Sequence, residues 1–318
     1  MNYSLYNTFF SNGKLLLTGE YIILYGANSI ALSTRQGQSL TVCYEKNMHS
    51  KSYLYWSSIT NNNKYWFKGI FSIPKMDIFY DNNNRQIANN LKNCILKFKS
   101  IQKHFLQQSF ITIYVTTKLE FPINWGLGSS STLISNIAKW ADINDILILL
   151  KHNKIQGIGS GYDIACSFYQ ESIIFKLQNN NIPMITPIKF NPSFKKQLFF
   201  LYLNKKKNTV AGIKLFINKN KTISKLIIDL ISSITNKILF CKTLKEFEKL
   251  LFQHEKIISD TLGLPTVKEK LFPDYLGLVK SLGTWGGDFV LISFRSGMKK
   301  YFYKKGFNTI ISFEKMIL

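Results

Sequence analysis

The stretch Pro122-Ile-Asn-Trp-Gly126-Leu127-Gly128-Ser129-Ser130-Ser131-Thr132 joins two glycines to a run of four hydroxyl residues. Glycine lets a backbone turn tightly and approach a ligand closely. Hydroxyl residues that open a helix sit where unpaired N–H groups and the positive end of the dipole face the loop, an arrangement that cradles phosphate. A serine there can also ligate Mg²⁺ carried by the phosphates. The common P-loop is not the device, because no G-x-x-x-x-G-K-[ST] occurs in the chain. The other reading of the same residues is an ordinary helix start capped by serine. A second stretch, Gly157-Ile-Gly159-Ser160-Gly161-Tyr162-Asp163-Ile164-Ala165, sets one acidic residue just after a glycine loop. Asp163 is there either a helix cap or a general base held beside a bound phosphate. A third, Gly283-Thr284-Trp285-Gly286-Gly287-Asp288, is by itself only a turn before a strand.

The elements around these stretches are readable. Lys14 to Leu24, Ser39 to Tyr44, Lys51 to Ser57 and Tyr65 to Ile70 read as extended. Ile87, Leu91, Cys94, Ile95 and Phe98 recur at spacings of three and four, which predicts an amphipathic helix over Arg85 to Phe105. Phe110 to Thr116 is an alternating strand. The glycine turn at Gly126 to Gly128 then leads into a helix over Ser129 to Ala141, with a second over Asp145 to Lys151 and a third running to Tyr169. Ser172 to Leu177 and Gln197 to Leu203 read as strands. Three helices are expected over Thr222 to Leu239, Leu244 to Leu262 and Thr266 to Leu282, and late strands over Phe289 to Phe294 and Thr309 to Phe313. Strands and helices are segregated, which favours an α+β fold. A length of 318 residues suits about two domains or one large one. The Asn- and Pro-rich segment Gln178 to Pro192 marks the expected boundary, giving domains 1–180 and 181–318.

Composition excludes several classes. Hydrophobic residues make up 46% and charged residues 19%, the balance of a globular chain. No apolar run is long enough for a membrane span, and Met1 to Asn12 lacks the features of a secretion signal, so no membrane partner and a cytoplasmic location are expected. The formal charge is +23, from 41 basic and 18 acidic residues. Only Arg35, Arg85 and Arg295 are arginines, whereas proteins that read nucleic acid lean on arginine. The abundance of Ile, Asn, Lys, Phe and Tyr also matches AT-rich codons. No nucleic-acid partner is expected, although the charge would concentrate anionic substrates. Cys43, Cys94, Cys166 and Cys241, and His49, His104, His152 and His254, are scattered without metal-ligand spacing.

Four motifs occur in order: Gly13-Lys14-Leu-Leu-Leu-Thr-Gly19-Glu20-Tyr21, P-x-x-x-G-L-G-S-S, G-S-G-Y-D and G-x-x-G-G-D. Together they resemble the GHMP small-molecule kinases, over nearly the whole chain from Gly13 to Asp288. The resemblance implies a two-domain α+β fold, with an N-terminal domain like ribosomal protein S5 domain 2 and a ferredoxin-like C-terminal domain. It implies ATP and Mg²⁺ as cofactors. Gly126, Leu127, Gly128, Ser129, Ser130, Ser131 and Thr132 would wrap the ATP phosphates, with Ser129 or, first, Ser130 near Mg²⁺. Asp163 would accept a proton from the acceptor or orient it. Lys14 would keep Asp163 charged and help neutralise the transferring phosphoryl group. Tyr21, Ser160, Gly161, Gly286, Gly287 and Asp288 would bind an anionic acceptor.

Around Asp163 the chain is similar to phosphomevalonate kinases, which read Q-G-x-x-G-S-G-[FY]-D-[IV]-A, more than to mevalonate kinases, and Tyr21 after Gly19-Glu20 points the same way. It also resembles a bacterial GHMP group marked by G-Y-D-I-A. Three departures stand out. His152 occupies the position of a magnesium-binding Glu, Asn12 replaces a proline, and Thr284-Trp285 replaces small residues, where the indole either narrows the acceptor pocket or packs behind it. The leading expectation is an ATP-dependent kinase acting on phosphomevalonate or mevalonate. A GHMP kinase of another small alcohol or sugar, a non-catalytic nucleotide-binding homologue and a nucleic-acid binder are the alternatives. Oligomeric state is open, with a homodimer allowed for.

Overall fold

The computed structural model describes residues 5–46, 51–153, 159–178, 181–205, 209–220 and 222–318. Gly157 and His49, named above, lie outside them. The chain forms two compact units, one of residues 1–13, 36–123 and 128–153, the other of residues 14–35, 124–127 and 154–318. The architecture is mixed α+β, as the segregation of elements predicts.

In the first unit the alternating segments pair. β2 (Ser29–Lys46), β3 (Ser52–Ile59), β4 (Tyr65–Ile73), β5 (Ile78–Tyr80) and β6 (Ile111–Leu119) lie in the order β5-β4-β3-β6-β2. All these pairs are antiparallel except β3 with β6, where Tyr55 faces Tyr114 in parallel register. Alternation places Leu54, Trp56, Phe67, Phe71, Ile113 and Val115 inside. α1 (Arg85–Ile101) buries Ala88, Leu91, Ile95 and Phe98, and the Asn84 side chain caps it by accepting from Ile87 N–H. α2 (Ser129–Trp140) buries polar residues as well as apolar ones. Asn136 Nδ2 donates to the Gln38 carbonyl at 2.8 Å and its Oδ1 accepts from Ser11 Oγ at 2.9 Å. These bonds offset the desolvation of a buried amide. α3 (Ile146–Asn153) completes the unit.

In the second unit the first residues of β2 continue the pairing with β7 (Ser172–Leu177), which pairs with β8 (Pro183–Ile188). α4 (Tyr162–Tyr169) precedes β7. A four-stranded antiparallel sheet follows, in the order β10 (Val279–Ser281), β11 (Phe289–Ser293), β9 (Leu198–Tyr202) and β12 (Ile310–Ser312). The helices of this unit that follow are α5 (Thr209–Lys219), α6 (Lys225–Ile238) and α7 (Leu244–Leu262), then the short α8 (Val267–Leu271), α9 (Met298–Lys304) and α10 (Phe313–Met316). One core cluster gathers Leu201, Val267, Phe272, Tyr275, Val290 and Phe302. Another gathers Tyr21, Ile22, Phe216, Ile231, Ile258 and Trp285.

Two expectations differ locally. The strand expected over Lys14 to Leu24 is the end of β1 (Leu5–Leu16) only. Gly19 at φ 86° and Tyr21 at φ 61° then turn the chain into a 3-10 helix over Ile22–Tyr25. The helix expected over Thr266 to Leu282 starts as expected, with a Thr266–Glu269 capping box, and stops at Leu271. Pro273 cannot continue it, and the chain re-enters the sheet as β10. Among the described residues, no helix is long and apolar enough to cross a membrane.

Candidate active site

The second unit brings four of the sequence motifs to one place. Lys14, in the last turn-ward residues of β1, donates its backbone N–H to the Leu127 carbonyl at 2.9 Å. Its ammonium donates to the Gly126 carbonyl and to the Tyr162 hydroxyl, each at 3.3 Å. Tyr162 and Asp163 open α4, whose N-cap is Gly161 at φ 87° with no side-chain cap. A carboxylate in that first turn is favoured by the helix dipole. Asp288 comes to the same place from the loop before β11: a Cβ built on Gly126 would lie 1.8 Å from Asp288 Oδ2.

The electrostatics follow from this crowding. Burial pulls the Lys14 pKa down, but Tyr162, Asp163 and Asp288 together with the hydrogen bond to Tyr162 more than offset it, so the ammonium titrates above its ordinary value. Burial in turn pushes the Tyr162 phenol up, so at neutral pH Tyr162 acts on Lys14 as a neutral hydrogen-bond acceptor. Lys14 and Asp163 interact through space without an ion pair within 4.0 Å, the ammonium being turned to Gly126 and Tyr162. The arrangement is a cation fixed by neutral oxygens, with two carboxylates in electrostatic reach. Such a cation can balance charge on a transferring phosphoryl group.

Aromatic residues hold the loop. The Trp125 ring meets Phe289 edge-on at 5.4 Å and Tyr202 at 6.1 Å. The Tyr202 hydroxyl donates to the Asn124 carbonyl at 3.3 Å. Leu127 is fully buried. Gly126, at φ 67°, has both a left-handed backbone and no room for a side chain. Gly126→Ala is therefore expected to displace Asp288, and to weaken at least about tenfold the ATP binding that the sequence motif implies. Calorimetric titration with an ATP analogue checks this, and unchanged affinity would mean that the loop does not bind nucleotide.

The rest of the hydroxyl stretch belongs to the first unit. The N-cap of α2 is Gly128 at φ 90°, with no side-chain cap, so the serine-capped start is not the one adopted. Ser131 Oγ donates to the Gly128 carbonyl at 2.9 Å, and Thr132 Oγ1 donates to Gln38 Oε1 at 2.8 Å. Thr132 and Ser131 are buried and brace the helix start, whereas Ser130 is exposed and Ser129 half-buried. The first N–H groups of such a helix have no carbonyl four residues back.

The residues expected from the sequence to bind an acceptor divide. Ser160 is buried and its Oγ accepts from Tyr162 N–H at 3.4 Å, which sets the start of α4. Tyr21 lies in the core: its ring meets Phe216 at 4.8 Å and its hydroxyl accepts from Trp285 N–H at 3.0 Å. Trp285 is 9% exposed and donates Nε1–H to the Pro265 carbonyl, so it packs behind the loop. Gly286 turns at φ 62°, and a Cβ on Gly287 would lie 2.4 Å from the Thr284 carbonyl. His152 lies in the last turn of α3 in the first unit.

Sequence reasoning missed Tyr162, the aromatic pins and a buried charge cluster. Glu20 Oε1 is 2.5 Å from Lys280 Nζ, which is 3.3 Å from Glu255 Oε2. His254 Nε2 accepts from Gly19 N–H at 2.9 Å. Glu20 stood inside a quoted motif. Lys280, one lysine among many, carried no signal.

No family model matches the sequence, and no curated protein matches it. Solved structures do. The Methanococcus jannaschii mevalonate kinase is 20% identical, with a TM-score of 0.65, over 95% of this chain and 94% of that one. The Streptococcus pneumoniae phosphomevalonate kinase, solved with phosphomevalonate and AMPPNP, is 13% identical, with a TM-score of 0.67, over 96% and 99%. The Lactococcus lactis galactokinase, solved with galactose, is 14% identical, with a TM-score of 0.56, over 94% and 88%. The coverage is near complete in both directions, and the motifs fall in the family's order; the chain has the fold of the GHMP small-molecule kinases.

Proposed function

We propose that the protein is an ATP-dependent kinase of a small acceptor in the mevalonate series, phosphomevalonate or mevalonate. The observation that carries this reading is the convergence of Lys14, Gly126, Asp163 and Asp288, from four separate motifs, in one unit of the chain. A nucleotide-binding module has no need of a carboxylate beside a fixed cation, and a phosphotransferase does.

In the reaction, Asp163 takes the proton from the acceptor's hydroxyl or phosphate oxygen. That oxygen bonds to the γ-phosphorus as the bond to the β,γ-bridging oxygen breaks, and ADP leaves. Lys14 balances the charge shared by the transferring group. Within the first unit, Ser129, Ser130 and the first N–H groups of α2 are the groups suited to nucleotide phosphates.

The donors also suit Mg²⁺. Asp163 and Asp288, both in the second unit, offer the hard oxygen ligands that this ion takes, and Mg²⁺ bound with a nucleotide completes its shell with phosphate and water. One of these two carboxylates would hold it. When bound, it would neutralise charge on the phosphate chain.

ADP release with Mg-ATP, measured with phosphomevalonate, mevalonate and galactose in parallel, tests the acceptor. Turnover with one of the first two supports the assignment. Turnover with galactose alone, or none with any while ATP still binds, overturns it.

A further inference from the structure

The buried cluster around Lys280 joins two segments of the candidate site that are 260 residues apart in sequence. Glu20 directly precedes Tyr21, and Lys280 lies in β10, which leads into the loop 283–288. Both side chains are fully buried. Lys280 Nζ also donates to the Ser281 carbonyl at 2.6 Å, and Glu255, from α7, accepts from Ser281 N–H at 3.2 Å and from its hydroxyl at 2.7 Å. The start of the loop is thus held from three sides. A second tie, Trp285 N–H to the Tyr21 hydroxyl, crosses between the same two segments. Beyond it, Asp288 ends the loop against Gly126 and acts on Lys14.

The cluster is larger than support of the core requires. Replacing a buried ion pair by apolar groups of the same volume is often neutral or stabilising, so burial of charge is weak evidence for a stabilising role. Glu20 Oε2 and His254 Nδ1 are moreover buried without a hydrogen-bond partner. What the cluster does provide is a directional tie between the Gly19–Tyr21 turn and β10.

We propose that Glu20, through Lys280, is a positioning residue that sets where the loop 283–288 holds Asp288 against Gly126 and Lys14. The inference rests on the kinase reading for its catalytic consequence and on geometry alone for its structural one. Glu20 touches neither nucleotide nor acceptor. It acts by fixing a loop, so its loss lowers turnover by loosening Asp288 and leaves ATP affinity near its original value.

Three variants of the full chain test this: Glu20→Ala, which removes the tie and leaves Lys280 its Glu255 partner; Glu20→Gln, which can still accept from Lys280; and Glu20→Ala combined with Asp288→Asn. Hydrogen exchange should quicken at least about tenfold over 19–26 and 283–288 in Glu20→Ala, with β9 and the rest of α7 unchanged. With an acceptor that turns over, kcat should fall about tenfold with KM for Mg-ATP within about threefold, and Glu20→Gln should recover most of it. In the Asp288→Asn background, Glu20→Ala should add less than about twofold, since residues acting through one another are not additive. Exchange that quickens at 19–26 but not at 283–288, or that rises throughout the unit, overturns the proposal. So do kinetic effects that multiply. The exchange measurement needs no turnover, so it decides the positioning role even if every acceptor fails and the kinase reading falls.

Discussion

Asp163→Asn lowers turnover by about 10²–10⁴ while ATP affinity stays within a few-fold. The magnitude is that of losing one positioned general base. The substitution keeps the size of the side chain, and Asn suits the first turn of a helix. It therefore leaves α4, its Gly161 cap and the Ser160 bond to Tyr162 in place. Lys14 keeps its bonds to Gly126 and Tyr162, because neither involves Asp163. What changes is the proposed proton acceptor, together with one of the negative charges acting on Lys14. Steady-state kinetics beside calorimetric ATP binding separate these effects. A variant that retains more than a tenth of wild-type kcat would show that Asp163 is not the base. One that loses ATP binding as well would show that the effect is structural.

The second large effect concerns stability. Lys280→Met leaves Glu20 and Glu255 buried with no cation between them, and breaking a buried pair from one side costs about 3–5 kcal/mol. For a chain of this size the melting temperature should fall by on the order of 10 °C. The loss depends on pH in a direction fixed by the cluster. Burial pushes the Glu20 carboxyl up to about 7, against the pull of Lys280, and holds His254 well below its ordinary 6.5, with Lys280 adding to the effect. Between the ordinary carboxyl value of 4.5 and 6.5, the unfolded chain binds its proton on His254 and the folded chain binds it on Glu20. The proton counts match, and these groups give little pH dependence there. From 6.5 to about 7 the folded chain holds the extra proton, so stability falls as pH rises. Below 4.5 the unfolded chain holds both, so stability falls as pH falls.

Removing the lysine pushes the Glu20 carboxyl further up. The deficit of Lys280→Met should therefore be greater at pH 8 than at pH 6. Denaturant unfolding at the two pH values measures this. A loss below about 1 kcal/mol, or one equal at both, contradicts the account. The double variant Glu20→Gln, Lys280→Met should lose less than Lys280→Met alone, because one unpaired carboxylate is gone.

The glycine and acidic motifs were legible because their signals are local. Gly126 needs a left-handed backbone and an open side, Gly161 starts a helix, and Asp163 follows it within two residues. The α+β class was legible from period, since α1 and β3 display their faces in the sequence. What escaped depends on distant partners. Lys280 reads as one more surface lysine until Glu20 and Glu255 are brought to it. β8 escaped because Pro183 and Pro187 read as loop, yet proline is tolerated there because β8 is the last strand in its order. The reach of the Thr266 helix was overestimated because periodicity continued past Pro273 after the backbone could not. Trp285 could not be assigned between pocket and core until Phe216 and Pro265 lay beside it.

Transfer of the γ-phosphoryl group is read directly by ³¹P NMR of Mg-ATP with phosphomevalonate or mevalonate, with wild type and Asp163→Asn side by side. With the wild type the γ signal of ATP should be replaced by that of a phosphorylated acceptor and ADP; with the variant it should persist. Release of inorganic phosphate without a phosphorylated acceptor, or equal transfer by both proteins, would contradict this.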